Sequence, residues 1–189
     1  TLDKGAEYFL DLFTRCGAMM QMIPALPQPV IAEVHGIATA AGCQLVASCD
    51  MAVAAAGTRF GVTGVNIGLF CSTPMVALSR NVPRKAAFEM LTTGEFIDAA
   101  RARELGLVNR VVPAAELFGA TLALAQVVAG KLTTAVKIGK RAFYEQASMS
   151  LADAYAYTAR VMAENMMLAD TAEGIQAFIE KRHPEWREQ

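Results

Sequence analysis

Between Thr39 and Gly42 the chain reads Thr-Ala-Ala-Gly, where no bulky side chain stands between the main chain and a ligand. The run follows PVIAEV (29–34), which has the pattern of a buried strand, and precedes the apolar stretch Leu45-Val46-Ala47. A strand, a turn of small residues and a helix together present unpaired backbone N–H groups at a helix N-terminus. An ester or thioester carbonyl placed there would have its developing oxyanion stabilised by those dipoles. The ligand would have to come within about 3 Å of the main chain, which is why alanine and glycine are the residue types required. The same small residues also suit close packing of a helix on a strand, so the run alone leaves both readings open.

Other chemistries find little support. Of the 189 residues 54% are hydrophobic, enough for one sizeable core. The 17 basic and 18 acidic residues give a net charge of −1, with no electrostatic footprint for nucleic acid or an anionic membrane. No apolar run approaches the roughly 20 residues of a spanning helix. The four cysteines, Cys16, Cys43, Cys49 and Cys71, show no CxxC spacing, and with only two histidines no metal site is expected. They read as free, mostly buried thiols in a reducing compartment. The ten methionines, among them Met149, Met162, Met166 and Met167, read as adaptable packing at a helical interface rather than a cofactor box. The chain opens on Thr1 rather than methionine, and it is expected to begin partway into its fold, with a segment upstream of it.

The elements that would position the small-residue turn can be read in order. Residues 3–23 carry a helical apolar stripe of Tyr8, Phe9, Leu12, Phe13, Cys16, Met19, Met20 and Ile23. Pro24, Pro27 and Pro29 are expected to end it in an extended linker. Strands follow at 29–34 and at 51–56 (MAVAAA), with the turn and its helix between them. Residues 60–70, with Gly61, Gly64 and Gly68, read as a shaped loop holding a short strand at most. Pro83 suits a first helical residue, Asp98 a helix cap, and 107–112 (LVNRVV) a strand. Helices are expected near 114–130, 134–147, 151–168 and 172–182, with Ser150 as a cap and Asp153 as its acidic partner. The outcome is an α/β core over residues 1–113 and a helical C-terminal region over 114–189.

At this point the sequence resembles a known family. The stretch PVIAEVHGIATAAGCQLVASCDMAVAAAGTRFGVTGVNIGL is similar to the signature of the enoyl-CoA hydratase/isomerase (crotonase) family. RKAAFEMLTTGEFIDAARARELGLVNRVVP resembles its next characteristic stretch, and EGIQAFIEKRHPEW its tail. The pattern is most like the subgroup called enoyl-CoA hydratase domain-containing and its bacterial relatives. The resemblance implies a spiral of β-β-α units, a helical C-terminal oligomerisation region, and a homotrimer or dimer of trimers. It also implies an acyl-CoA thioester as ligand, no separate cofactor, and an oxyanion hole of two backbone N–H groups. One of these falls on Ala41, flanked by Ala40 and Gly42 as substrate-binding positions; the other belongs to a loop upstream of the first helix.

Hydratases of the family use two glutamates, and those positions fall on Gln44 and Gly64. An amide has no useful pKa near neutrality and glycine has no side chain, so efficient hydration is not expected. Asn66 and Cys71, on or just after the same loop, stand as further substrate-binding candidates. Against this, Asn66 also suits a loop-fixing hydrogen bond and Cys71 a buried small hydrophobe. Ser72 and Thr73 suit capping of the next helix, Asp50 a structural hydrogen bond, and His35 a structural role. In the tail, Phe178 and Lys181 lie three residues apart, on what reads as one helical face. The resemblance implies that they reach the CoA adenine and 3′-phosphate, often across a subunit boundary. An acyl-CoA enzyme and a non-catalytic acyl-CoA-binding protein thus both remain open. A cytoplasmic location of bacterial type is expected, with the mitochondrial matrix as the alternative.

Overall fold

A computed structural model describes residues 4–187. The chain divides into two compact units. One takes in Val30–Leu124 and the chain up to Pro24; the other takes in Ala25–Pro29 and the chain from Ala125 onward.

The first unit opens with α1 (Ala6–Ala25). The helix runs through Pro24, where the sequence suggested that it would already have ended. The proline sits in the last turn, where its missing N–H and its ring cost the helix little beyond its own end. Of the apolar stripe only Met20 and Ile23 are buried, whereas Tyr8, Phe9, Leu12, Phe13 and Met19 are exposed on this chain.

Strands then come in pairs. β1 (Ile31–Val34) and β2 (Ile37–Thr39) are separated by His35-Gly36, where Gly36 takes a φ of 69° that a side chain would oppose. After α2 (Ala41–Ser48), the pair β3 (Met51–Ala55) and β4 (Arg59–Gly61) repeats the pattern. A 3-10 turn over Thr63–Ile67 leads into α3 (Ser72–Asn81) and α4 (Arg84–Thr93). Then follow β5 (Ile97–Asp98), α5 (Ala99–Glu104), β6 (Arg110–Val112) and α6 (Leu117–Ala129). The first strands of the two pairs join β6 in one sheet, of order β1-β3-β6, and the second strands join β5 in another, of order β2-β4-β5. This is the spiral of β-β-α units that the resemblance implied. β2 and the two-residue β5 were missed in the sequence, where Ile37–Thr39 read as turn.

The first sheet is parallel throughout, with Ile31 opposite Met51 and Val53 opposite Arg110. Its central strand β3 is buried on both faces. Ala52 and Ala54 join a core with Phe60, Val62, Leu78 and Leu91, while Val53 and Ala55 pack against Leu117 and Leu124. Burying each of the larger side chains contributes about 1.5–3 kcal/mol. Polar groups staple the layers. Asp50 Oδ2 accepts from the Val30 amide at 2.6 Å, Asn109 Oδ1 from the Ala52 amide at 2.8 Å, and Asn81 Nδ2 donates to the Ala47 carbonyl at 2.7 Å.

Caps follow sequence chemistry in two cases and depart from it in two. Asp98 accepts from the Arg101 amide, and Ser150 from the Asp153 amide, as expected. At α3, Cys71 occupies the cap without a side-chain bond, Ser72 is the first helical residue, and its hydroxyl turns back to the Phe70 carbonyl. Pro83 stands one residue before α4 rather than inside it.

The second unit is helical: α7 (Thr133–Gln146), α8 (Leu151–Met166) and α9 (Ala169–Glu180) follow the end of α6. Lys140 of α7 is buried and donates to the Gln28 carbonyl at 2.8 Å, tying the proline linker to this unit. No single helix among the described residues is long and apolar enough to cross a membrane. Nor do the described residues bring three His, Cys, Asp or Glu side chains together as a metal site would need.

Candidate active site

β2 and β4 are parallel and in register, Thr39 opposite Gly61, so their carboxyl ends lie side by side. The strand pairing extends one residue beyond β2, because the Ala40 amide donates to the Gly61 carbonyl at 3.0 Å. Ala40 then adopts φ 47° and ψ −114°, a conformation that an L side chain opposes at a cost of about 1–3 kcal/mol. This turn sends the next amide the other way. The Gln44 amide returns to the Ala40 carbonyl at 3.0 Å and starts the helix, while the Ala41, Gly42 and Cys43 amides have no acceptor among the described residues. Ala41 and Gly42 are exposed. An oxygen brought to this turn meets free N–H groups at the positive end of α2.

The two residues that follow the exposed part of the turn are buried. Cys43 is fully buried; burial pushes its thiol up to about 12, although the Gly61 amide bonds the sulfur and works the other way. It is a packing group, not a nucleophile. Gln44, also buried, has its Oε1 facing the Cys16 thiol of α1 at 3.9 Å, a weak contact.

Gly64 is buried in the 3-10 turn, and a Cβ added there would stand 2.2 Å from the Leu69 carbonyl oxygen and 2.8 Å from the Cys71 sulfur. The Leu69 amide, for its part, donates to the Gly64 carbonyl at 3.0 Å. The loop is wound so tightly around this residue that no side chain fits. Asn66 Nδ2 donates to the Gly94 carbonyl at 3.2 Å, a bond that fixes the loop against the end of α4. Cys71 is buried at the start of α3. One pair near the turn was not visible in the sequence: the hydroxyls of Thr39 and Thr63 lie 3.3 Å apart. The pairing depends on β2, whose strand character the small residues concealed. An open groove of about 980 Å³ also runs along α3 and α4, lined by Met75, Val76, Arg80, Arg84 and Phe88, and it includes none of the turn residues.

In the second unit, Phe178 on α9 is 83% exposed, so it is no core residue of this chain. Lys181 is not on the helix face with it. It follows α9 in the left-handed region at φ 56°, and the Arg182 amide closes back on the Ala177 carbonyl at 3.0 Å. The tail is clasped to α9: Arg182 grips both Glu173 oxygens at 2.6 and 2.9 Å, and the Glu185 amide donates to one of them. The Arg182 guanidinium and the Glu185 amide hold the Glu173 carboxyl down at about 2.

Comparison with known proteins agrees with this architecture. The enoyl-CoA hydratase/isomerase family profile matches residues 14–189. The chain is 51% identical to enoyl-CoA hydratase domain-containing protein 3, mitochondrial, of Xenopus laevis and 50% identical to the Homo sapiens protein of that name. The match takes in 98% of this chain in each case, and 63% and 61% of those proteins. The chain thus spans rather less than two thirds of the length of these relatives. Among solved structures, an enoyl-CoA hydratase from Mycobacterium smegmatis superposes with a TM-score of 0.95 at 55% identity, covering 97% of this chain and 72% of that one. The human domain-containing protein 3 gives the same TM-score at 50% identity, covering 98% and 74%. The fold is therefore the crotonase fold, and the chain belongs to the enoyl-CoA hydratase/isomerase family.

Proposed function

We propose that the chain binds an acyl-CoA thioester at the carboxyl ends of β2 and β4, with the thioester carbonyl oxygen on the Ala41 amide. The observation that carries this reading is the turn at Ala40, which commits its own amide to Gly61 and leaves the next one exposed and unpaired. A polarised thioester stabilises negative charge at its α-carbon, and that is the step a backbone amide can assist without a titrating side chain. Ala40 shapes the turn, and the missing side chain of Gly42 leaves the approach open. Phe178 and Lys181 are assigned to the adenine and 3′-phosphate of CoA, reached in an oligomer, where an aromatic ring and an ammonium suit those groups.

Acid–base chemistry is the weaker half of the site. If Gln44 and Gly64 stand at the two glutamate positions of the hydratases, water has neither its base nor its acid, and each such group is worth about 10²–10⁴-fold. The closed space around Gly64 favours the second reading, an acyl-CoA-binding protein without efficient turnover. Titration with butyryl-CoA, together with a crotonyl-CoA hydration assay, tests both readings. Saturable binding with hydration at least about 10²-fold below a glutamate-bearing hydratase is expected. Absence of binding would overturn the assignment, and hydration at ordinary hydratase rates would overturn its acid–base half.

The exposed apolar residues of α1, α8 and α9 support assembly as a homotrimer or dimer of trimers. The relatives from Xenopus laevis and Homo sapiens carry mitochondrial names, which supports a mitochondrial setting over the cytoplasmic one that the sequence first suggested.

A further inference from the structure

α9 ends in a turn that glycine usually provides. The Arg182 amide closes on the Ala177 carbonyl at 3.0 Å and the Lys181 amide on the Phe178 carbonyl at 3.3 Å, a pairing that puts residue 181 in the left-handed region. Lysine holds φ 56° there, a conformation that its side chain opposes and glycine would accept freely. Ala40 and Lys181 are the two non-glycine residues of positive φ among the described residues. Such a turn persists only where its surroundings hold it, and here the surroundings are the tail. Arg182 bonds both Glu173 oxygens, at 2.6 and 2.9 Å, and through Nε a Glu180 oxygen at 2.6 Å. Glu173 also accepts from the Glu185 amide at 2.9 Å, and Asp170 from the Arg187 amide at 3.0 Å. The Trp186 ring lies 3.1 Å from where a Cβ on Gly174 would stand. Residues 182–187 thus run back along the first half of α9. Two neighbouring cations are set apart by this arrangement. Arg182 is committed to two carboxylates, whereas Lys181 is exposed and in no ion pair among the described residues. Were the helix to continue through residue 181, Lys181 would fall on the face of Phe178, three residues along.

We infer that Glu173 and Arg182 are positioning residues for CoA recognition: their ion pair holds Lys181 in its left-handed turn, and so sets how much the 3′-phosphate of an acyl-CoA contributes to affinity. The inference rests on the assignment of Lys181 to that phosphate. Neither member of the pair touches the ligand in this reading. Glu173 occupies the guanidinium that would otherwise compete for the phosphate, and the clasp keeps the ammonium off the face of α9.

Calorimetric titration of the full chain with butyryl-CoA and with butyryl-3′-dephospho-CoA, which lacks that phosphate alone, tests it in the wild type, Lys181→Ala, Glu173→Ala and Arg182→Gln. The wild type is expected to bind butyryl-CoA about 10-fold more tightly, the effect of one charge-assisted hydrogen bond. Lys181→Ala removes that preference. Glu173→Ala and Arg182→Gln leave Lys181 in place, yet each reduces the preference to at most about threefold while the dephospho thioester binds within about twofold of wild type. A merely structural role would weaken both thioesters alike and leave their ratio unchanged. If Lys181→Ala removes the preference but either clasp variant keeps it, the inference is overturned and the Lys181 assignment stands. No preference in the wild type, or one that survives Lys181→Ala, overturns both, as does binding of neither thioester. Where Glu173→Ala fails to fold, Arg182→Gln decides.

Discussion

At Gly64 the main chain comes so close that a Cβ would fall 2.2 Å from a backbone oxygen. No side chain can be carried at that position unless the loop is rebuilt. Gly64→Ala is expected to destabilise the chain by at least about 1–3 kcal/mol, read as a lower midpoint in urea, and Gly64→Glu to cost more without gaining hydration. An alanine variant with wild-type stability would show that the loop has room for a methyl group. Gln44 behaves differently, because its site has room for a side chain but little water. In Gln44→Glu, burial favours the neutral acid, so the carboxyl's folded pKa lies above its unfolded value. The variant should be closest to wild-type stability below that unfolded value and lose stability as pH rises through it. Thermal melts at pH 4.5 and pH 8 check this; a deficit that is larger at the lower pH would contradict it. The family resemblance pointed to Gln44 and Gly64 as the positions where hydratase carboxylates would fall. It could not show that one position is closed by backbone and the other turned towards Cys16, because both facts depend on contacts made across the fold.

At the scale of elements, periodicity read the long helices well and the short strands poorly. Ile37–Thr39 has three residues, and its strand character comes from pairing with Arg59–Gly61, a partner some twenty residues away. Without that strand, the convergence of Thr39 with Thr63 could not be seen. Local chemistry sufficed where the interaction is local, as at the Asp98 cap, and Asp98→Ala should cost about 1 kcal/mol in urea unfolding. The tail is also a local device, though its partners are spread over Glu173–Trp186. Glu173 is held at about 2 against an ordinary 4.5, so its hold on Arg182 is complete above about 4.5 and is lost as pH falls towards 2. The only tryptophan of the chain, Trp186, packs against Gly174 and reports this directly. Its fluorescence should change in that acid window, and Glu173→Gln should show the acid-side signal already at pH 7. A signal flat from pH 5 to pH 2 would show that the clasp does not hold the ring.

For the molecule as a whole, many large apolar side chains are left exposed. Tyr8, Phe9, Leu10, Leu12 and Phe13 on α1, and Leu151, Tyr155, Met162, Met166 and Phe178 on α8 and α9, all face outward. Helical periodicity showed the apolar stripe of α1 without showing what covers it, because a sequence pattern cannot say whose core a stripe joins. Light scattering should give three or six times the chain mass, and Met162→Glu should shift it towards the monomer. A monomer in the wild type at micromolar concentration would count against assembly. All of this matters to the site only if the turn at Ala40 does to a carbonyl what its geometry allows. The infrared stretch of a thioester carbonyl, isotopically labelled in butyryl-CoA and measured on the bound ligand, reads that polarisation without requiring turnover. A shift to lower frequency than in free butyryl-CoA is the expected result; a bound thioester whose carbonyl vibrates as it does in water would contradict the account.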